Sequence, residues 1–116
     1  MMPKPRLFNI NQMEWVESAQ FPGVQIKTLE TRATHPAASV ILVRVAVGGV
    51  IHRHVHAQET ETAYVLAGRG TITLGDEETF LETGAGVTIP PGLPHSLRNS
   101  GDAPIELIAM HIPPTR

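Results

Sequence analysis

The chain has 116 residues, with 9 Lys and Arg against 11 Asp and Glu and a formal net charge of −2. That is one domain's length, with no basic surplus for binding nucleic-acid phosphates. There is no cysteine, which excludes disulfides, thiolate catalysis, iron–sulfur clusters and cysteine zinc sites. No apolar stretch approaches the ~20 residues of a membrane span, and the opening MMPKPRLFNI lacks a signal peptide's apolar region. The expectation is therefore a cytoplasmic protein with no membrane partner.

Gly and Pro number 10 each and punctuate the chain too often for long helices, so an all-β class is expected. Within residues 1–21, the stretch NQMEWVESAQ suggests one short helical turn, with Trp15 and Val16 packing onto the body. Residues 24–29 alternate apolar and polar, the period of a half-buried strand. After a loop at 31–38, residues 39–47 (SVILVRVAV) form the strongest predicted strand, β-branched and nearly continuous. Short strands follow at 62–67, 71–74, 79–81 and 87–89, separated by glycine-bearing turns. Residues 95–98 and 105–112 complete the series. Spacings of about 8–12 residues between strands suggest a sandwich or barrel rather than alternating strands and helices.

The histidines carry the chemistry. His52, His54 and His56 alternate along one extended stretch, and in a strand alternate side chains share a face roughly 6.6 Å apart. Two such imidazoles can tilt toward one ion held at about 2.0–2.1 Å. Glu59 and Glu61 follow at once, and His95 stands some forty residues on, in PPGLPHSLRN, where prolines and glycine stiffen the approach. Two histidines, a carboxylate and a distant histidine make a three-nitrogen, one-oxygen donor set. Such a set suits Mn, Fe, Co, Ni, Cu or Zn better than Ca or Mg. The plain alternative is an exposed polar strand face. His35, isolated before Pro36, reads as a surface residue.

The spacing of these residues resembles the cupin family. The first cupin motif, G-x5-H-x-H-x4-E-x6-G, is met by Gly48, His54, His56, Glu61 and Gly68. The second, G-x5-P-x-G-x2-H-x3-N, is met by Gly84, Pro90, Gly92, His95 and Asn99. The resemblance implies a double-stranded β-helix (jelly-roll) barrel at residues 37–116. Residues 1–36 would form an N-terminal extension whose one or two strands pack on it. It also implies one divalent transition metal per chain, held by His54, His56, Glu61 and His95 near the barrel mouth.

Around that set, His52 is either a rim residue or an extra pocket donor, and Glu59 is solvated or paired with Arg53. His111, on the last strand, could stand behind a ligand or pass a proton if it faces inward. Arg98 and Arg44 are pocket candidates only by their nearness in sequence, Tyr64 is expected to point outward, and Asn99 to bond local backbone. Trp15 and Phe21 are read as core or interface residues. No catalytic group beyond the ligand set stands out. The functional expectation is a metal-dependent oxygenase, or a related Lewis-acid isomerase or decarboxylase, acting on a small oxygen-bearing substrate. The alternative is a small-molecule binding or sensor barrel without turnover. Small cupins usually pair, so a homodimer is expected, and no nucleic-acid partner.

Overall fold

The computed structural model describes residues 4–116. The first three residues of the expected N-terminal extension lie outside that range. Ten strands carry the fold: β1 (Val16–Glu17), β2 (Val24–Glu30), β3 (Ser39–Val45), β4 (Val50–His54) and β5 (Thr60–Ala67) in the first half. The second half adds β6 (Arg69–Leu74), β7 (Glu77–Glu82), β8 (Gly86–Ile89), β9 (His95–Arg98) and β10 (Ile105–Ile112). They form a six-stranded sheet in the order β1-β2-β3-β10-β5-β8 and a four-stranded sheet in the order β4-β9-β6-β7. All pairings are antiparallel, and the two sheets make the all-β jelly roll expected from the sequence. No helix among the described residues is long and apolar enough to cross a membrane.

The inner faces of the two sheets share one core. Val43 and Val45 of β3, Val65 of β5, Ile72 of β6, Leu97 of β9 and Leu107 of β10 are all buried in it. Alternation along each strand selects these residues, as period-2 geometry requires. β3 reads as a nearly continuous apolar run because both its faces are covered. Its outward-facing Leu42 is as buried as the inner residues yet lies outside the inter-sheet core. The N-terminal segment crosses the outer face here. Arg6 donates to the Leu29 carbonyl and Lys27 Nζ to the Ile10 carbonyl. The Trp15 ring lies 4.2 Å from the Arg44 guanidinium and 4.8 Å from the Lys27 ammonium, distances at which a cation is held by the ring face.

Three local expectations need correction. The stretch 11–20 is not helical beyond Asn11 and Gln12. A single 3-10 turn at Ile10–Gln12 is capped by the Asn9 side chain, and β1 pairs with β2. The strand expected to run to residue 47 stops at Val45, where Ala46 N–H turns away to the Gly23 carbonyl and Gly48 adopts a φ of +76°. The strand expected at 79–81 is longer. It forms a hairpin with β6 across Gly75 and Asp76, in which Leu74 faces Glu77 and Gly75 has a φ of +61°. Glycine with positive φ at the first of two loop residues suits the twist of such a hairpin.

Candidate metal centre

Two cross-strand pairs, one on each sheet, build the site. On the four-stranded sheet His54, at the end of β4, sits opposite His95, at the start of β9. On the six-stranded sheet Glu61 of β5 sits opposite His111 of β10. Glu61 shares its face with Ala63 and Val65, and His111 shares its face with Leu107 and Ala109. Alternation therefore aims both polar residues at the same interior that the core residues fill.

His54 and His56 do not converge as neighbours on one strand. β4 ends at His54, and a register irregularity between Ile51 and His54 breaks its alternation. Bulges of this kind re-aim side chains. Here the irregularity lets both Ile51 and His54 line the interior and leaves His52 exposed. His56 comes from the following loop, which is fastened where Gly92 N–H donates to the His56 carbonyl at 2.8 Å. Gly92 holds a φ of +83° there, so the proline–glycine turn anchors His56 as well as leading into His95.

One donor atom from each of His54, His56, Glu61 and His95 lies within 4.8 Å of the others. His54 Nδ1 is 2.8 Å from the His52 carbonyl, and His95 Nδ1 is 3.0 Å from the Leu93 carbonyl. A carbonyl only accepts, so each Nδ1 carries the proton and each Nε2 is left with its lone pair. Buried His56 Nε2 and His95 Nε2 have no hydrogen-bond partner, yet lie 3.1 Å and 3.6 Å from Glu61 Oε1. Unpartnered buried nitrogens are costly in a purely structural cluster. Adjacent ligands on one ion, with bonds of ~2.1 Å, stand about 3–3.6 Å apart. The cluster fits a transition-metal ion.

The charges agree with that use. Burial pushes the Glu61 carboxyl upward, but the imidazoles of His111, His56 and His95 around it outweigh burial and hold it far below the usual carboxylate range. Burial pushes His54 down, and the neighbouring His95 and His56 act in the same direction. Burial also acts downward on His95, but Glu61 and the Leu93 carbonyl together raise it. The result is one fixed negative charge facing imidazoles of graded basicity.

The other candidates fall into place around this centre. His111 is buried, and its Nε2 is 2.8 Å from Glu61 Oε1. His52 contributes only its carbonyl. Arg98 is not in the pocket: it lies on the outer face of β9, opposite in sense to His95 and Leu97, with Glu78 3.9 Å away. Arg44 is also turned outward, where its Nε and Nη2 donate to Glu106 Oε1 across β3 and β10. Arg53 does not pair with Glu59. It donates to the Gly75 carbonyl, while Glu59 accepts from the Gln58 N–H. His35 is exposed, and its Nδ1 accepts from the N–H groups of Ala37 and Ala38. Tyr64 points outward and is half exposed. Asn99 Nδ2 donates to the carbonyls of Val45 and Ala103.

A cavity of about 160 Å³ adjoins the cluster, with walls that include Ile41, Val43, Ile72 and Leu107. Phe21, half buried, lines it, with its ring 5.7 Å from that of His54. A local turn sets Phe21 there, because Ser18 Oγ accepts from the N–H groups of Gln20 and Phe21. Sequence reasoning missed this role. The S-x-x-F spacing was the available signal, and it marks a turn without saying what the turn covers. Among the described residues that line the cavity, His111 and Arg116 are the ionisable ones besides the four donors.

Comparison with known proteins agrees with the fold. Residues 41–111 match the cupin domain family. The chain is 32% identical over 114 residues to polyketide synthase CurC of Streptomyces cyaneus, an alignment covering 96% of this chain and 71% of that protein. Across the curated relatives it matches, the chain spans between 14% and 71% of the relative's own length. The crystal structure of a predicted oxalate decarboxylase from Thermotoga maritima superposes with a TM-score of 0.85 at 21% identity, over 92% of this chain and 98% of that one. The polyketide cyclase RemF from Streptomyces resistomycificus superposes with a TM-score of 0.83 at 16% identity, over 94% of this chain and 80% of that one.

Proposed function

The chain belongs to the cupin family, and we propose that within it the protein is a metal-dependent enzyme acting on a small, uncharged substrate that binds through vicinal or 1,3-related oxygens. The observation that carries this is the junction of two unlike surfaces. A three-imidazole, one-carboxylate cluster opens onto a cavity whose walls are mostly aliphatic. His54, His56, Glu61 and His95 would hold the metal, which would supply Lewis acidity to a bound carbonyl or, as Fe or Mn, a route to O₂.

This chain's own residues do the rest. The aliphatic walls exclude water, which strengthens every electrostatic interaction at the cluster. They also favour a substrate with an apolar body. A small dianion such as a dicarboxylate would find one arginine, Arg116, among the cavity's residues. Neutral polycarbonyl or enol substrates fit that balance better, and the likeness to a polyketide synthase protein over 96% of the chain supports the same class. Phe21 shields the His54 side of the opening. The carbonyls of His52 and Leu93 hold the neutral His54 and His95 in the Nδ1–H tautomer, which leaves Nε2 free to bind.

A second reading, a binding barrel without turnover, rests on the scarcity of acid–base groups: among the described residues, His111 is the only imidazole lining the cavity that is not one of the four donors. Elemental analysis of protein purified without a nickel column, beside a His54→Ala/His95→Ala control, tests the metal. About one equivalent of transition metal lost in the control supports the centre. No metal, even after anaerobic incubation with Fe²⁺ and Mn²⁺, overturns it. The metal-loaded protein is then given a panel of 1,3-diketones and catechols, with oxygen uptake and loss of substrate absorbance as readouts. Turnover favours the enzyme, and binding without turnover favours the second reading. A homodimer is part of the proposal, supported by exposed Leu7 and Val16 on the N-terminal segment. A monomer in sedimentation at micromolar concentration would refute it.

A further inference from the structure

His111 lies outside the four-donor cluster, yet it makes the shortest contact to Glu61 of the three imidazoles around that carboxylate. It faces Glu61 directly across β10 and β5, is 4% exposed, and places Nε2 2.8 Å from Glu61 Oε1. Three imidazole Nε2 atoms surround that oxygen, but only the His111 contact is a hydrogen bond. In its neutral form His95 has no proton on Nε2 to give, because its proton is committed to the Leu93 carbonyl. His111 is therefore the donor, and the proton sits on its Nε2. Its buried Nδ1 has no partner, so the ring's one hydrogen bond is the bond to Glu61.

Resting on the metal-centre reading above, we infer that His111 is a positioning residue. Its cross-strand hydrogen bond occupies one lone pair of Glu61 Oε1, fixes the plane of the carboxylate, and holds Glu61 to attachment through a single oxygen. A free carboxylate can swing and chelate through both oxygens, which would consume a coordination position. Held by His111, it leaves that position to substrate. Groups that support a ligand in this way typically change metal affinity by about 10–100-fold when removed.

The test uses Co²⁺ as the probe, with the whole chain as wild type, His111→Leu, His111→Gln and His54→Ala. Affinity is read by competition with a chelator, and geometry from the visible absorption of bound Co²⁺. His111→Leu removes the donor and is expected to weaken Co²⁺ binding about 10–100-fold, with fainter absorption as ligand number rises. Gln carries a donor of similar reach and is expected to restore both readouts most of the way. If His111→Leu fails to fold, His111→Asn, whose amide is too short to reach Glu61, takes its place against His111→Gln. Wild type and His111→Leu with the same affinity and spectrum, alongside a His54→Ala variant that does not bind, would leave the metal centre standing and overturn the role of His111. Wild type that does not bind Co²⁺ at all would overturn the metal centre itself, and this inference with it.

Discussion

Protons should compete with the metal in a graded way, and the gradation follows from the site's own geometry. Imidazole ligates only when its nitrogen is free of a proton. His95 is raised above the ordinary imidazole value because Glu61 and the Leu93 carbonyl outweigh its burial, so its competition begins earlier, as pH falls, than an ordinary imidazole's would. His54 is lowered, mainly by burial, and joins only after His95. Glu61 is held far below the usual carboxylate range despite its burial, so it adds no slope at mildly acid pH. Affinity should thus fall as pH falls, gently near neutrality and more steeply below about pH 6. More than one imidazole must shed a proton to ligate, so the loss between about pH 7 and 5 should exceed the roughly 1.4 powers of ten that a single ordinary imidazole would cost. Isothermal titration with Zn²⁺ or Co²⁺ at half-unit steps of pH measures the curve directly. An affinity that is flat over this range, or that falls by a single power of ten with no steepening, would refute a three-histidine centre.

Two stability predictions come from the framework around the site. Asn99 is 2% exposed and donates to the carbonyls of Val45 and Ala103 while accepting from Gly101 N–H. Asn99→Ala strands those groups and should cost about 2–4 kcal/mol in urea unfolding, and a loss below about 0.5 kcal/mol would contradict it. Gly68 and Gly84 both have positive φ, at +82° and +91°. A Cβ at Gly68 would meet the Pro104 carbonyl, whereas one at Gly84 meets nothing within 4 Å. Gly84→Ala should therefore cost only the backbone conformation, about 1–2 kcal/mol, and Gly68→Ala clearly more. Equal costs would show that the backbone at Gly68 moves aside freely.

The fold was largely legible because its signals are local. Gly48, Gly68, Gly84 and Gly92 all take the positive φ that glycine tolerates, and strand alternation brackets them. The donor set was legible through its spacing against those same glycines. What stayed hidden depended on both faces of a strand at once. β10 is apolar on its two faces, with Leu107 and Ala109 inward but Ile108, Met110 and Ile112 on the other side. Period alone therefore could not say where His111 points, although outward Glu106, paired with Arg44, was a hint. The irregularity in β4 was invisible for a different reason. A bulge is chosen by the pairing of Val50 and Ile51 with β9, and no single residue marks it. Arg98 misled because nearness in sequence to His95 ignores the alternation that sends it to the opposite face.

The split of the site between the two sheets bears on when a metal can be captured. An unfolded chain offers only the run His52 to His56, a weak and unselective chelator. Glu61 meets His111 fifty residues away, and His95 meets His54 only once β4 and β9 have paired. The full donor set therefore comes into being last, after the long-range strand pairings that set the pace of β-rich folding. A metal taken up by this donor set would thus follow folding instead of nucleating it, unlike small domains that stay unfolded until an ion arrives. Which ion such a site would take would then be decided by the finished cavity and by what is available around the native protein.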